Sequence, residues 1–165
     1  MKTLYLVRHA KSDWEDLSLK DFDRPLNTRG LLNAPKVGLK LKEEGEVPQL
    51  VVASPAKRTT QTAETLCEQM EIDVSLIKYI DSIYEASTRE LLQVINNLND
   101  QFDSVMIVCH NMAISYIAEY LTGNDIGNIP TCGVFKISFD FDEWLSVSEK
   151  TGEEVFFWKP KELDF

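Results

Sequence analysis

A short apolar run that ends in arginine and histidine constrains this chain more than any other feature. Residues 4–7, Leu-Tyr-Leu-Val, form a continuous apolar stretch, and Arg8 and His9 follow it directly. Such a run is typical of a strand buried on both faces, as in a parallel sheet covered by helices. Arg8 and His9 are therefore predicted at the carboxyl end of a strand, the edge at which open α/β sheets bind ligands.

Two further apolar runs end in the same way. The run at residues 50–53 leads into Ser54, with Arg58 four residues later, and the run at residues 105–109 leads directly into His110. If the three runs are neighbouring parallel strands, both arginines and both histidines of these motifs converge on one spot. The chain has only two histidines, and both stand at these strand ends. Two cations and two imidazoles in one crevice predict an anion site that contains a nucleophile.

Helical and strand patterns alternate along the chain and predict a three-layer α/β/α fold. Apolar residues recur at helical spacing in four segments, residues 31–41, 63–70, 91–98 and 113–121. Strict alternation from Phe135 to Phe141 predicts a half-exposed strand, with a partner strand at residues 155–158. We therefore expect a mostly parallel central sheet flanked by helices, an antiparallel edge hairpin at the C-terminus, and a single domain over residues 1–165.

Local signals predict the ends of the first helix. Asn27 or Thr28 is expected to be its N-cap residue, since both are short polar side chains just before the apolar pattern begins. Pro35 is expected to kink or restart the helix because it lacks a backbone N–H. Gly45 is expected to end it.

Three further boundaries follow from similar signals. Ser54 and Pro55 are expected to be the N-cap and first residue of the second helix, which places Arg58 on its first turn. Residues 74–77 are a candidate short strand. Ser87 and Glu90 have the spacing of a capping box for the third helix.

Charge and cysteine usage limit the partners and the compartment. The net charge of −10 argues against a nucleic-acid or anionic-membrane surface, because polyanions bind to basic patches. No apolar run reaches the length of a transmembrane helix, and no signal peptide is expected, so the expected location is the cytoplasm. Cys67, Cys109 and Cys132 lack paired spacing and are expected as small core residues in a reducing compartment, although Cys109 could instead be redox-sensitive.

Four short motifs, in order along residues 3–123, resemble those of the histidine phosphatase superfamily. The motifs are Arg8-His9-Ala10, RPLNTRG at residues 24–30, Ser54-Pro55 with Arg58 and Gln61-Thr62-Ala63, and Cys109-His110-Asn111. The first two look most like the small phosphohistidine phosphatase branch. The chain departs from the superfamily pattern at Ala10, where glycine is usual, and at Cys109, where glycine or serine often stands.

The resemblance implies a phosphoglycerate mutase-like fold and a metal-independent phosphatase. One imidazole nitrogen of His9 is expected to attack phosphorus, giving a phosphohistidine intermediate that water hydrolyses. Arg8, Arg58 and His110 are expected to bind the phosphoryl oxygens, so that neither a metal nor another cofactor is required. The neighbouring cations should keep His9 neutral near pH 7.

Three other residues are weaker candidates. Ser12 could donate its hydroxyl to the bound phosphate or be a plain turn residue. Asn111 is expected to cap the fourth helix and is counted among the substrate-binding residues. In superfamily members that act on esters, a glutamate at a place comparable to Glu85 serves as general acid; the alternative is a surface carboxylate before a helix.

Three functions stay open from the sequence. A phosphohistidine on another protein is the first substrate, because a P–N bond makes little demand on a general acid and the chain lacks insertions that could cover a small sugar phosphate. A small phosphate ester, with Glu85 as general acid, is the second. A phospho-ligand binding module without turnover is the third. The sequence predicts neither the individual substrate nor the oligomeric state.

Overall fold

A six-stranded sheet forms the middle layer of the fold. The computed structural model describes residues 1–163, so the last two residues of the predicted domain lie outside the described part of the chain. The strands are β1 (Lys2–Arg8), β2 (Leu50–Ala53), β3 (Lys78–Tyr79), β4 (Ser104–Cys109), β5 (Val134–Phe139) and β6 (Gly152–Trp158), in the spatial order β3-β2-β4-β1-β5-β6. The first four are parallel, and β5 and β6 form an antiparallel hairpin at one edge. The predicted sheet and edge hairpin are confirmed.

Helices cover both faces of this sheet, as the three-layer prediction requires. They are α1 (Thr28–Glu43), α2 (Lys57–Met70), α3 (Thr88–Asn96) and α4 (Ala113–Thr122). Because side chains alternate along a strand, Leu4 and Leu6 of β1 join one apolar core with α3 and α4. Tyr5 and Val7 join the other core with α1 and α2. None of the helices in residues 1–163 is long and apolar enough to cross a membrane.

Most of the predicted helix ends are confirmed. The Asn27 side chain accepts a hydrogen bond of 2.9 Å from the Gly30 N–H and caps α1. Gly45 follows that helix with a φ of 72°, in the left-handed region that suits glycine. Ser87 and Glu90 form the predicted capping box of α3.

The prediction for Pro35 is wrong. The helix α1 (Thr28–Glu43) runs without interruption and contains Pro35. Its buried residues, among them Ala34, Val37 and Leu41, pack in the core shared with α2. Burial of that face outweighs the single hydrogen bond that proline removes.

Two predicted strands also differ from those in the structure. Residues 74–77 do not form a strand; Val74–Leu76 is a 3₁₀ turn, and the edge strand β3 follows it. The Asp73 side chain accepts a hydrogen bond of 2.9 Å from the Ser75 N–H and so stabilises the turn. The alternating pattern predicted a strand as far as Phe141, but β5 ends at Phe139.

The three cysteines are buried, as predicted for small core residues. Burial raises the pKa of the Cys67 thiol to about 11. Burial also raises the pKa of Cys109 and of Cys132 to about 12. All three are protonated at neutral pH, and a protonated buried thiol is a poor nucleophile, which disfavours a redox role for Cys109.

Gly30 supports the loop that follows β1, and replacing it tests this contact. A Cβ atom at Gly30 would clash with the Lys11 carbonyl oxygen, which already accepts a hydrogen bond of 2.9 Å from the Asn27 N–H. We expect Gly30→Ala to lower the free energy of unfolding by about 1–3 kcal/mol in urea denaturation, because the loop must move.

The sign of this change decides between two effects. Helix propensity alone would make alanine more stable than glycine by about 1 kcal/mol. A stabilised Gly30→Ala variant would therefore contradict the close approach. Leu32→Ala, at a position 60% exposed on the same helix, is the control, and its free energy of unfolding should change by less than about 0.5 kcal/mol.

Candidate active site

The ends of two neighbouring strands bring the two histidines together. Arg8 is the last residue of β1 and His9 follows it, while His110 follows the end of the adjacent parallel strand β4. The His9 N–H donates a hydrogen bond of 3.1 Å to the Cys109 carbonyl, which ties the two strand ends to each other. As a result, the His9 and His110 ring centroids are 5.4 Å apart.

The first turn of α2 adds Arg58 to this edge of the sheet. The strand β2 lies beside β4, and α2 begins four residues after β2 ends, so Arg58 is its second residue. The side chains converge on a cavity of about 240 Å³ at the carboxyl end of the parallel strands. Its lining includes both histidines, both predicted arginines, Lys11, Ser12, Trp14, Asp21, Asn111 and Thr131. The predicted convergence of the four main residues is thus observed, although their chemical roles remain predictions.

Two polar side chains of α2 bond to the segments on either side of the loop that follows His9. The Thr62 hydroxyl accepts a hydrogen bond of 3.0 Å from the Ala10 N–H, and the Gln61 side chain accepts one of 2.7 Å from the Leu26 N–H. Ala63 is fully buried in the core below them. The Gln-Thr-Ala motif therefore positions the backbone on both sides of the loop that carries the nucleophile candidate.

The hydrogen bonding of His9 fixes which ring nitrogen carries its proton. The Nδ1 atom lies 2.7 Å from the Ala10 carbonyl oxygen. A carbonyl oxygen only accepts hydrogen bonds, so Nδ1 must be the N–H donor. In the neutral ring the other nitrogen, Nε2, then has a free lone pair.

His110 has one satisfied and one unsatisfied ring nitrogen. Its Nε2 atom shares a hydrogen bond of 2.8 Å with the Ser54 hydroxyl. Its Nδ1 atom is buried and has no partner within residues 1–163. The contact to His110 also explains why the prediction of Ser54 as the N-cap of α2 is wrong, since Ala56 is the N-cap and Ser54 faces the site.

Both imidazoles have low pKa values. The pKa of His9 is lowered to about 4, mainly by burial, with contributions from the Arg58 and Arg8 charges and an opposing effect of the hydrogen bond to Ala10. Burial lowers the pKa of His110 to about 3, again with Arg58 contributing. Burial, and not the charge of the neighbouring cations, is thus the larger cause of the neutral state expected for His9.

Asp21 and Tyr84 complete the site and were not predicted from the sequence. The Arg58 guanidinium donates hydrogen bonds of 2.7 Å to the Asp21 carbonyl and 3.1 Å to its carboxylate. The Tyr84 hydroxyl donates one of 2.7 Å to the same carboxylate. Desolvation alone would raise the pKa of Asp21, but Tyr84 and Arg58 outweigh it and hold that pKa below its usual value. Asp21 is therefore an ionised group that orients the Arg58 side chain.

The comparisons with known proteins agree with this geometry. Residues 4–83 match the family model of the histidine phosphatase superfamily (branch 1). An uncharacterized chloroplastic protein of Arabidopsis thaliana is 36% identical over 151 residues, which cover 87% of this chain and 69% of that protein. The chain belongs to the histidine phosphatase superfamily. The family and the fold together support phosphatase activity.

Solved structures share the whole fold of this chain. A protein assigned as the phosphohistidine phosphatase SixA of Agrobacterium tumefaciens superposes with a TM-score of 0.82 at 28% identity, over 96% of this chain and 98% of that one. Phosphoserine phosphatase of Entamoeba histolytica superposes with a TM-score of 0.72 at 14% identity, over 99% and 100%. The second likeness shows the fold alone. The first supports the small phosphohistidine phosphatase branch to which the motifs pointed.

The weaker candidates of this histidine phosphatase occupy different positions. Ser12 is buried in the cavity wall, where its hydroxyl is available to a bound oxyanion. Asn111 also lines the cavity but does not cap α4, because its side chain accepts a hydrogen bond of 2.5 Å from the Ser115 hydroxyl and Met112 is the N-cap. Glu85 is exposed and does not line the cavity. Its role as a general acid stays a prediction.

Within residues 1–163 no group of three or more His, Cys, Asp or Glu side chains has the arrangement of a metal site. The positive charges of the cavity come instead from the Arg8, Arg58 and Lys11 side chains. Forked guanidinium donors match the geometry of phosphoryl oxygens, so these residues can neutralise a phosphate directly.

The low pKa values of the histidines predict a distinctive titration. In the ligand-free protein neither imidazole should titrate near its ordinary pKa of 6.5, and both should stay neutral until the pH falls to about 4. The unfolded chain binds protons between about pH 6.5 and pH 4 that the folded chain does not, so the stability of the fold decreases as the pH falls through that window. Proton NMR of the two rings measures this directly, with His110→Ala to distinguish their signals. A ring that titrates near pH 6.5 would contradict the burial of the site.

Proposed function

We propose that this histidine phosphatase removes the phosphoryl group from phosphohistidine on other proteins, with His9 as nucleophile and no metal. One observation carries the proposal. The Ala10 carbonyl holds the Nδ1 proton of His9, which leaves the Nε2 lone pair free in a cavity that also contains two guanidinium groups. A neutral nucleophile beside oxyanion donors is the arrangement that phosphoryl transfer needs.

The chemistry proceeds in two balanced steps. The Nε2 lone pair of His9 attacks phosphorus and the P–N bond of the substrate breaks. Its electron pair returns to the substrate imidazole, which carries a proton on its other nitrogen and so leaves as a neutral ring. Arg8 and Arg58 neutralise the charge on the phosphoryl oxygens during this transfer. A water molecule then attacks the phosphoryl group on His9, and the bond to Nε2 breaks to release inorganic phosphate and the free enzyme.

The position of the carboxylates favours a phosphohistidine substrate over an ester. An alkoxide leaving group needs a proton from an acid, whereas an imidazole protonated on its other nitrogen leaves as a neutral ring. Asp21 is the one carboxylate in the described lining of the cavity, and its lowered pKa keeps it ionised and bonded to Arg58. Glu85 is exposed outside the cavity. An ionised Asp21 and an exposed Glu85 outside the cavity therefore support a leaving group that needs no general acid.

The shape of the site suits a substrate that is itself a protein. The catalytic cavity lies at the carboxyl edge of the parallel strands, directly beside a second cavity, and Trp14 on its rim is 60% exposed. A phosphorylated side chain on a partner surface can therefore reach His9 without prior opening of a cover.

We also propose that residues 1–165 form a single domain and that the protein works in the cytoplasm. Three buried free cysteines are suited to such a reducing compartment.

A substrate panel tests the proposed function. The measurement is phosphate release from a phosphohistidine-bearing peptide and from an alkyl phosphate ester, glycerol phosphate, with and without EDTA, by wild type, Glu85→Gln and Glu43→Gln. Glu43→Gln is the matched control, since Glu43 is an exposed glutamate at the end of α1. We expect phosphohistidine turnover to survive EDTA and to change less than about twofold in both variants, because no general acid is required.

Two other outcomes would favour a different function. Turnover of the ester alone, lost in Glu85→Gln and kept in Glu43→Gln, would favour a phosphatase of small phosphate esters. Tight binding of phosphate without turnover of either substrate would favour a phospho-ligand binding module.

A further inference from the structure

A second and larger cavity adjoins the catalytic one. It has a volume of about 590 Å³ and shares Arg8, Lys11 and Thr131 with the catalytic cavity. Its other lining residues come from the start of α1, the loop before β5 and the segment after β6: Arg29, Asn33, Pro130, Lys159, Pro160, Lys161 and Glu162. We call this second cavity the basic groove.

The charge of the basic groove is opposite to that of the protein. The chain has 17 Lys and Arg against 27 Asp and Glu, yet the groove is lined by one glutamate and five cations, Arg8, Lys11, Arg29, Lys159 and Lys161. None of these five forms an ion pair within residues 1–163. In addition, the Nε donor of Arg8 is buried and has no partner in the same range. Within residues 1–163 the groove therefore has more cationic than anionic side chains, and such an excess of like charge indicates a place for an external anion.

The spread of these cations indicates an anion with several separate charges. Arg8 belongs to β1, Arg29 to the first turn of α1, and Lys159 and Lys161 to the segment after β6. A lone phosphate carries about two negative charges and would leave most of the positive charge of the groove uncompensated. The volume lies in the range of pockets that hold ligands much larger than one phosphate group.

We propose that the basic groove binds an acidic segment of the substrate protein, with Asp or Glu side chains close to the phosphorylated histidine. This inference rests on the proposed function and adds a substrate preference to it. Arg8 lines both cavities, so a chain whose phosphoryl group lies at His9 continues directly into the groove. The negative charge of the remaining surface repels the same acidic segment and directs it to the groove.

Binding of a peptide without a phosphoryl group tests the basic groove separately from turnover. The probe is a labelled peptide rich in Glu, compared by fluorescence anisotropy with the same peptide carrying Gln at each Glu position. The groove variant is Arg29→Gln with Lys161→Gln, two exposed residues outside the catalytic cavity. The control variant is Arg89→Gln with Lys78→Gln, which removes the same charge at the β3 side of the sheet, opposite β6.

The expected result is a preference for the Glu peptide that only the groove variant loses. Wild type and the control variant should bind the Glu peptide about tenfold or more tightly than the Gln peptide, with a preference that weakens as salt is added. The groove variant should lose most of that preference. Equal binding of both peptides by wild type, or an equal loss in the control variant, would overturn the inference. So would a groove variant that loses affinity for tripolyphosphate but not for the Glu peptide, since the ligand would then be a compact small polyanion.

Turnover of phosphohistidine peptides with Glu or Gln neighbours separates this inference from the proposed function. Wild type should show a lower KM for the Glu-flanked peptide, and the groove variant should raise that KM without changing kcat on the Gln-flanked one. A Glu preference in binding without phosphate release from either peptide would overturn the proposed function and leave the groove assignment standing. Turnover of both peptides with the same KM would overturn the groove assignment and leave the proposed function standing.

Discussion

Replacing His9 with alanine is expected to lower kcat for phosphohistidine hydrolysis by about four orders of magnitude or more, the size of effect seen when a covalent nucleophile is removed. The reason is that Nε2 of His9 is the atom proposed to form the bond to phosphorus. His110 is 5.4 Å away between ring centroids, and its Nε2 is already bonded to Ser54. The measurement is phosphate release under conditions of excess substrate.

A comparison with His110→Ala checks that the loss is specific. His110 is proposed to bind a phosphoryl oxygen, so its removal should cost about two to three orders of magnitude, as for one donor of an oxyanion hole. Binding of inorganic phosphate and the unfolding midpoint show whether the His9→Ala protein keeps its site and fold. A His9→Ala protein with more than about a tenth of wild-type turnover would exclude His9 as the nucleophile.

Replacing Arg58 with glutamine is expected to lower kcat/KM by about two to three orders of magnitude. This change removes a charge that faces the phosphoryl group and breaks both hydrogen bonds to Asp21. Loss of the Arg58 charge should also raise the pKa of the Asp21 carboxyl, because that charge contributes to its present lowering. Steady-state kinetics on the phosphohistidine peptide measure the first effect, and NMR titration of the Asp21 carboxyl measures the second.

Two further variants separate charge from geometry at this position. Arg58→Lys keeps the charge but lacks the fork of donors, so its activity should lie between wild type and Arg58→Gln. Lys57→Gln neutralises the exposed neighbour on the same turn of α2 and should change kcat/KM by less than about twofold. An equal loss in Lys57→Gln and Arg58→Gln would point to general surface charge rather than to a specific contact.

The sequence predicts the layers of this fold well because its signals are periodic and repeated. Buried runs such as Leu4 to Val7 require cover on both faces, and the helical patterns supply it. The two-residue period after Gly133 likewise predicts the antiparallel hairpin. Each of these patterns reports burial, and burial determines which elements pack against which.

Three of the errors, at Pro35, Ser54 and Asn111, occur where a single residue predicts a boundary or a kink. Pro35 stays inside α1 because the buried face of that helix is formed by other residues. Ser54 and Asn111 have the chemistry of helix caps, but their side chains bond to His110 and Ser115 instead. Tertiary contacts of this kind have no local signal and override intrinsic preference.

The candidate site also has residues that the sequence predicts and residues that it does not. The strand-end residues, such as His9 and His110, could be predicted because parallel strands share one carboxyl edge. Asp21 and Tyr84 lie in the connections between the main helices and strands, and Asp21 bonds to Arg58 and to Tyr84 only in the folded chain. The basic groove is likewise invisible in the sequence, since its cations are far apart in a chain of net charge −10.

The most direct test of the central claim is to observe the phosphoryl group on the enzyme. Wild-type protein and a phosphohistidine-bearing peptide are mixed in EDTA, quenched in alkali, which preserves phosphohistidine, and the phosphorylated residue is located by mass spectrometry. The account predicts a phosphoryl group on His9 that appears before free phosphate and is absent from His9→Ala. Release of phosphate with no phosphoryl group on His9, or with one on another residue, would contradict it.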